Sequence, residues 1–229
     1  MGVVAANIAA LRQRIAIAAE QAGRKPEEIE LIAVTKTVDV PRIREAMAEG
    51  ITSLGENRVQ ELTAKYEEVG PEANWHLIGH LQTNKVKYIV DKVALIHSLD
   101  RMSLARELSK RAQAISRVVP VLVQVNIAEE ESKFGLYRDE VIPFIEEVRS
   151  MPGLKIQGLM TIAPLTGDPE EVRPVFRSLK ELAVEIGNMG FPEVEMRYLS
   201  MGMTNDFEVA IQEGANMIRV GSGIFGERS

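Results

Sequence analysis

The chain has 229 residues, 45% hydrophobic and 26% charged, the balance of a globular protein with a substantial core rather than a disordered or collagen-like chain. Its 27 Lys and Arg stand against 33 Asp and Glu, a net charge of −6, which argues against a dedicated nucleic-acid binder. Zero cysteines exclude disulfide frameworks, thiolate nucleophiles and cysteine metal sites, and suit a reducing, cytoplasmic setting.

The start of the chain lacks the basic region of a signal peptide and carries Arg12 and Arg14 inside its apolar stretch. Ala6 stands where a myristoylation motif requires Ser or Thr. No apolar run approaches the roughly 20 residues of a membrane span. Ile8, Leu11, Ile15 and Ala18 or Ala19 recur at helical spacing and predict an amphipathic helix ending near Gly23. Short β-branched runs then predict strands at 30–36, 51–55, 74–79, 93–98, 119–127, 154–162, 194–200 and 216–221. Helical patterns lie between them, at 41–49, 57–69, 82–91, 101–116, 138–150, 168–188 and 204–213. Pro41 marks a first turn, Gly50 and Gly214 mark helix ends, and Asp168-Pro169-Glu170-Glu171 reads as a capped, acidic helix start.

Eight strands of continuous apolarity alternating with helices predict an α/β fold with strands covered on both faces. The expectation is a single (β/α)8 TIM-type barrel with an extra N-terminal helix, one domain over residues 1–229. A doubly wound open sheet has the same local pattern and stands as the second reading.

Barrel chemistry collects at the C-terminal ends of strands. Lys36 closes the first strand on the parity of Ile32 and Val34, where apolar neighbours would lower its pKa and leave an amine able to attack an aldehyde. A lysine snorkelling at a strand end is the bland alternative. After the last predicted strand, Gly221-Ser222-Gly223-Ile224-Phe225-Gly226 fits G-x-G-x-x-G, but the three residues that follow leave no room for a dinucleotide unit. What remains is either a cradle whose backbone N–H groups approach a phosphate, with Ser200 and Ser222 as hydroxyl donors, or a turn that merely closes the barrel. Arg219 reads equally as a structural ion pair or as a contact to a cofactor ring nitrogen. His76 and His80 share a parity but lack further ligands, so no metal site is expected; His97 reads as a core histidine. Glu129-Glu130-Glu131 reads as a solvated loop, and Met201 and Met203 as flexible apolar wall around Gly202. An amine and a phosphate cradle at one barrel mouth suit an aldehyde that bears a phosphate: pyridoxal 5′-phosphate, or the sugar phosphates of Schiff-base aldolases.

The segments AVTKT (33–37), GENRVQE (55–61), HLIGHLQTNK (76–85), VNIAEEESKFGL (125–136), GLMTIAP (158–164), LSMGMTNDFEVAI (199–211) and IRVGSGIFG (218–226) together resemble the pyridoxal phosphate homeostasis protein family, itself similar to the N-terminal barrel of alanine racemases. The resemblance implies pyridoxal 5′-phosphate as cofactor, carried by Lys36 as a reversible Schiff base. It implies phosphate contacts from Ser200, Gly221 and Ser222, Arg219 at the pyridine nitrogen, and Asn57, His80 and Met201 near the cofactor. It further implies a role in vitamin B6 and amino/keto-acid homeostasis without an established turnover reaction, with apo-enzymes that accept the cofactor as partners. The racemases' second domain has no counterpart before Ser229, which leads to the expectation of a monomer with an open mouth. A racemase or lyase, and a regulator that binds a partner according to cofactor occupancy, are the alternative readings.

Overall fold

The computed structural model describes residues 2–226. Its first helix, α1 (Val3–Gln21), buries Ile8, Leu11, Ile15, Ala18 and Ala19, the face expected from their spacing. Strand and helix then alternate: β1 (Glu30–Val34), α2 (Val40–Ala48), β2 (Ser53–Glu56), α3 (Val59–Val69), β3 (Asn74–Leu77), β4 (Leu95–Leu99), α4 (Met102–Ala114) and β5 (Val119–Gln124). The second half adds α5 (Arg138–Val148), β6 (Leu154–Met160), α6 (Arg173–Asn188), β7 (Val194–Ser200), α7 (Phe207–Gln212), β8 (Met217–Val220) and α8, a single turn over Ser222–Phe225. The end signals act as the sequence suggests. Asp39 caps α2 by accepting from the Arg42 amide at 3.2 Å, and Gly50 leaves that helix with φ 79°, a left-handed turn in which glycine carries no Cβ penalty.

All eight strands are parallel, and β8 pairs back onto β1 through Leu31–Ile218 and Ile32–Arg219, closing the barrel. The open-sheet alternative is thereby excluded. Because side chains alternate across a strand, the core separates into two layers. Ala33, Leu54, Leu77, Ile96, Val121, Leu159, Leu199 and Ile218 pack outward into the large cluster shared with the helices. Ile32, Leu95, Leu122, Met160 and Met217, with Tyr198 against them, form a separate cluster inside the barrel.

The 82–91 stretch differs from expectation. It holds a 3-10 helix over Thr83–Tyr88 of which only Val86 is buried, so there is no apolar stripe to propagate α-helical turns. The first strand ends at Val34, two residues short of Lys36, although the Thr35 amide still donates to the Gly55 carbonyl at 3.0 Å. Beyond β8, α8 is fastened from the side. Asn7 of α1 donates to the Ile224 carbonyl at 2.9 Å, and Arg42 of α2 donates to the Phe225 carbonyl with its guanidinium 5.7 Å from that ring's centroid. Among the described residues, no helix is long and apolar enough to cross a membrane.

Candidate functional site

At the C-terminal mouth of the barrel lies a cavity of about 350 Å3 between the ends of β1 and β8. Val34, Lys36, Arg219, Gly221 and Ser222 line it from those two strands, and Met203, Thr204 and Asp206 from the loop after β7. Lys133, from the loop after β5, and Ile162, Ala163 and Leu165, from the loop after β6, complete its rim. Two lysine amines, a guanidinium, three hydroxyls (Thr166, Thr204 and Ser222), the Asp206 carboxyl and a glycine turn thus share one space with apolar walls, a set able to hold an anionic group and present an amine to a flat aldehyde. The backbone approach is close. A Cβ at Gly223 would lie 2.8 Å from Val220 Cγ1 and 3.3 Å from Thr204 Cγ2, so glycine keeps room for the chain to turn there. Gly202, with φ 92°, meets Ala210 in the same way.

Arg219 sits at the base of this cavity, buried, where strand parity turns it inward. Its Nη1 donates to Ser200 Oγ at 2.6 Å and its Nη2 to the Thr161 carbonyl at 2.8 Å. Burial pulls its pKa down to about 10, against the opposing pull of Asp206, which still leaves the guanidinium protonated at neutral pH. Asp206 accepts from the Met203 amide at 2.5 Å, while burial raises its carboxyl above the ordinary range.

Below Arg219 a buried hydrogen-bond chain crosses the barrel. Ser200 Oγ lies 2.9 Å from His97 Nδ1, and His97 Nε2 lies 2.9 Å from His76 Nδ1. β4 and β7 are not neighbours in the sheet, so the Ser200–His97 contact passes through the interior. At the far end His76 Nε2 is 3.7 Å from Glu30 Oε1, which accepts from Ser53 Oγ at 2.7 Å. With a proton on His76 Nε2 facing the Glu30 carboxylate, the matching arrangement has His97 Nε2–H donating to His76 Nδ1 and Ser200 donating to His97 Nδ1 while it accepts from Arg219. Both imidazoles are held neutral: burial lowers His76 to about 4, and burial with the nearby His76 and Arg219 lowers His97 well below its ordinary value.

A second charged cluster lies outside the barrel wall, behind Lys36. Glu56 is fully buried there; its Oε1 accepts from Thr35 Oγ1 at 2.6 Å and from Lys65 Nζ at 2.8 Å. Lys65 Nζ also donates to the Thr35 carbonyl at 2.6 Å and to Glu61 Oε1 at 2.7 Å. Burial raises Glu56 above its ordinary range, outweighing Lys65 and Thr35, which pull it down. In Glu61 the hydrogen bonds from Lys65 and the Thr37 amide outweigh burial and lower its pKa.

The sequence-derived candidates divide. Lys36, Arg219, Gly221 and Ser222 meet in one cavity. Asn57 and His80 line a neighbouring one of about 650 Å3 with Arg58, Gln60, Glu61, Gln82 and Lys85, where the His80 ring stacks on Phe134 at 3.9 Å. Ser200 does not reach the cavity wall, because its parity directs the hydroxyl inward to Arg219 and His97. Met201, one residue on, faces outward and packs, fully buried, in the outer core. His76 and His80 are separated because β3 ends at Leu77: His76 pairs with His97 inside the barrel, and His80 lies beyond the strand, 3.6 Å from Asp100 Oδ2. Sequence reasoning missed Lys133, Thr204 and Asp206, which loops bring to the mouth. A lysine in the loop after the fifth strand, at the barrel face where chemistry collects, was the available signal for Lys133.

A closed parallel barrel with this lysine and this glycine turn defines the class: the chain belongs to the family described as alanine racemase, N-terminal domain, which matches residues 6–229. Within that class it is 47% identical over 217 residues to the pyridoxal phosphate homeostasis protein of Aquifex aeolicus, covering 94% of each chain. A crystal structure described as that of an unknown protein from Bifidobacterium adolescentis superposes with a TM-score of 0.93 at 37% identity, over 97% of this chain and 94% of that one. PipY of Synechococcus elongatus, solved with PLP bound, superposes with a TM-score of 0.85 at 34% identity, over 97% of this chain and all of PipY.

Proposed function

We propose that this chain binds pyridoxal 5′-phosphate in the cavity between Lys36 and the Gly221–Ser222 turn, and that it acts in pyridoxal phosphate homeostasis in the cytoplasm. The observation that carries the reading is the convergence of Lys36, Arg219, Gly221 and Ser222 on one cavity of about 350 Å3. Homologues that bear the homeostasis name, and the PLP-bound PipY structure, support it.

Pyridoxal phosphate supplies an aldehyde that condenses reversibly with an amine. In this reading Lys36 is the amine that captures it. The hydroxyls of Ser222 and Thr204 and the backbone after Gly221 hold the phosphate, α1 and α2 keeping α8 in place beneath it. Arg219 faces the ring nitrogen. Being protonated itself, it disfavours a proton there, which weakens the ring as an electron sink. Ser200 positions Arg219 rather than touching phosphate. Release follows when an amine of an accepting apo-enzyme competes with Lys36.

The test is transfer. Protein loaded with pyridoxal phosphate and freed of excess cofactor is mixed with an apo-enzyme that needs it. The expected result is recovery of the enzyme's activity, with Lys36→Ala protein unable to carry cofactor through the separation. Racemisation of an amino acid by the loaded protein, lost in Lys36→Ala, would replace this reading with an enzymatic one.

A further inference from the structure

We infer that Glu61 and Lys65 are positioning residues for Lys36, gripping the backbone on both sides of it from outside the barrel. The inference rests on the reading of Lys36 as the capturing amine. The carbonyl that precedes Lys36, on Thr35, accepts from Lys65 Nζ at 2.6 Å; the amide that follows it, on Thr37, donates to Glu61 Oε1 at 2.5 Å. Lys65 and Glu61 are themselves joined at 2.7 Å, so one ion pair spans both peptide planes. Glu56 ties the pair to β2 through Lys65 at 2.8 Å. A peptide plane is rigid, so fixing the planes on either side of a residue sets its φ and ψ and hence the direction in which its side chain leaves the backbone.

The backbone here is strained. Thr37 has φ 62°, a left-handed conformation that is an outlier for a β-branched residue and persists only where the surroundings impose it. Glu61 bonds the amide of that same residue. Burying charge is by itself a poor source of stability, which leaves the placement of this cluster to be explained by what it holds. It holds the turn by which the chain leaves β1 and delivers Lys36 to the mouth.

The experiment compares two probes on the full chain: pyridoxal 5′-phosphate, captured covalently and followed by its visible absorption, and pyridoxine 5′-phosphate, which carries an alcohol in place of the aldehyde and binds without a covalent bond. In Glu61→Ala, covalent capture weakens by about tenfold, the equivalent of one hydrogen bond to a charged group, while pyridoxine 5′-phosphate affinity is unchanged. Glu61→Gln keeps an acceptor for the Thr37 amide, leaves Lys65 paired with Glu56, and falls between Glu61→Ala and the unsubstituted chain. Thermal unfolding of each variant separates a lost grip from a lost fold. Wild-type capture by both variants, or parallel weakening of both probes, overturns the inference. Absence of covalent capture in the unsubstituted chain overturns the reading of the site, and the inference with it.

Discussion

Replacing Lys65 by methionine tests the energetics of the charge cluster behind β1, because it removes the charge while keeping an unbranched side chain only one atom shorter. The Glu56 side chain is 0% exposed and that of Lys65 9% exposed, so the pair is beyond the reach of solvent screening. Glu56 Oε2 has no hydrogen-bond partner among the described residues, and burial already disfavours the ionised carboxyl. Removing one partner of a buried pair costs about 3–5 kcal/mol. Thr35 Oγ1 remains bonded to Glu56, which points to the lower end, about 3 kcal/mol, or a Tm lowered by about 6–12 °C for a chain of this size. The loss depends on pH with a definite sign. Glu56 has a folded pKa raised above its unfolded value, so its contribution is greatest at low pH and is lost as pH rises through the folded value. Without Lys65 that pKa rises further, so the deficit shrinks on mild acidification. Urea unfolding followed by circular dichroism, at neutral and mildly acidic pH, measures both effects. The double variant Glu56→Gln/Lys65→Met, with no charge left to strand, should recover most of the loss. A single-variant loss below about 1 kcal/mol, the worth of an exposed pair, would refute the reasoning, as would a deficit independent of pH.

Other expectations concern the barrel interior and its rim. Ser200→Ala strips Arg219 Nη1 and His97 Nδ1 of their shared partner and should cost about 2 kcal/mol in urea unfolding; a neutral result would contradict the chain of donors described above. His76, lowered from 6.5 to about 4, takes up a proton more readily in the unfolded state, so stability should fall as pH drops from 6.5 towards 4, by about 3 kcal/mol for this group. In His76→Gln that part of the slope should vanish, and an unchanged slope would count against it. Gly202→Ala places a Cβ 2.6 Å from that of Ala210 at φ 92°, and should lose about 2 kcal/mol or more, against near-neutrality if the loop simply relaxes.

The parts of this molecule legible in the sequence are those governed by period and by single residue types. Strand parity carries inward facing through Ile32 and Val34 to Lys36 even though the strand itself stops at Val34, and it carries Arg219 inward two residues before the glycine turn. The same rule separates Ser200 from Met201, since adjacent strand residues face opposite sides. The partner of His76 was not legible, because it depends on cross-strand register: His76 pairs with Leu95, which puts His97 on the neighbouring strand at interior parity. Lys65 leaves a trace in the sequence. With Val59, Leu62 and Val69 it occupies the buried stripe of α3, where a lysine demands an acceptor. Lys133, Thr204 and Asp206 reach the cavity from loops, whose paths no periodicity encodes.

The central claim is that Lys36 captures the cofactor's aldehyde. Protein incubated with pyridoxal 5′-phosphate, reduced with borohydride, digested and mapped by mass spectrometry tests it most directly, with the visible spectrum recorded before and after reduction. The expected result is a yellow protein that bleaches on reduction and a single adduct on the peptide containing Lys36, absent in Lys36→Ala. A colourless protein without an adduct, or an adduct on Lys133 with Lys36 unmodified, would contradict it.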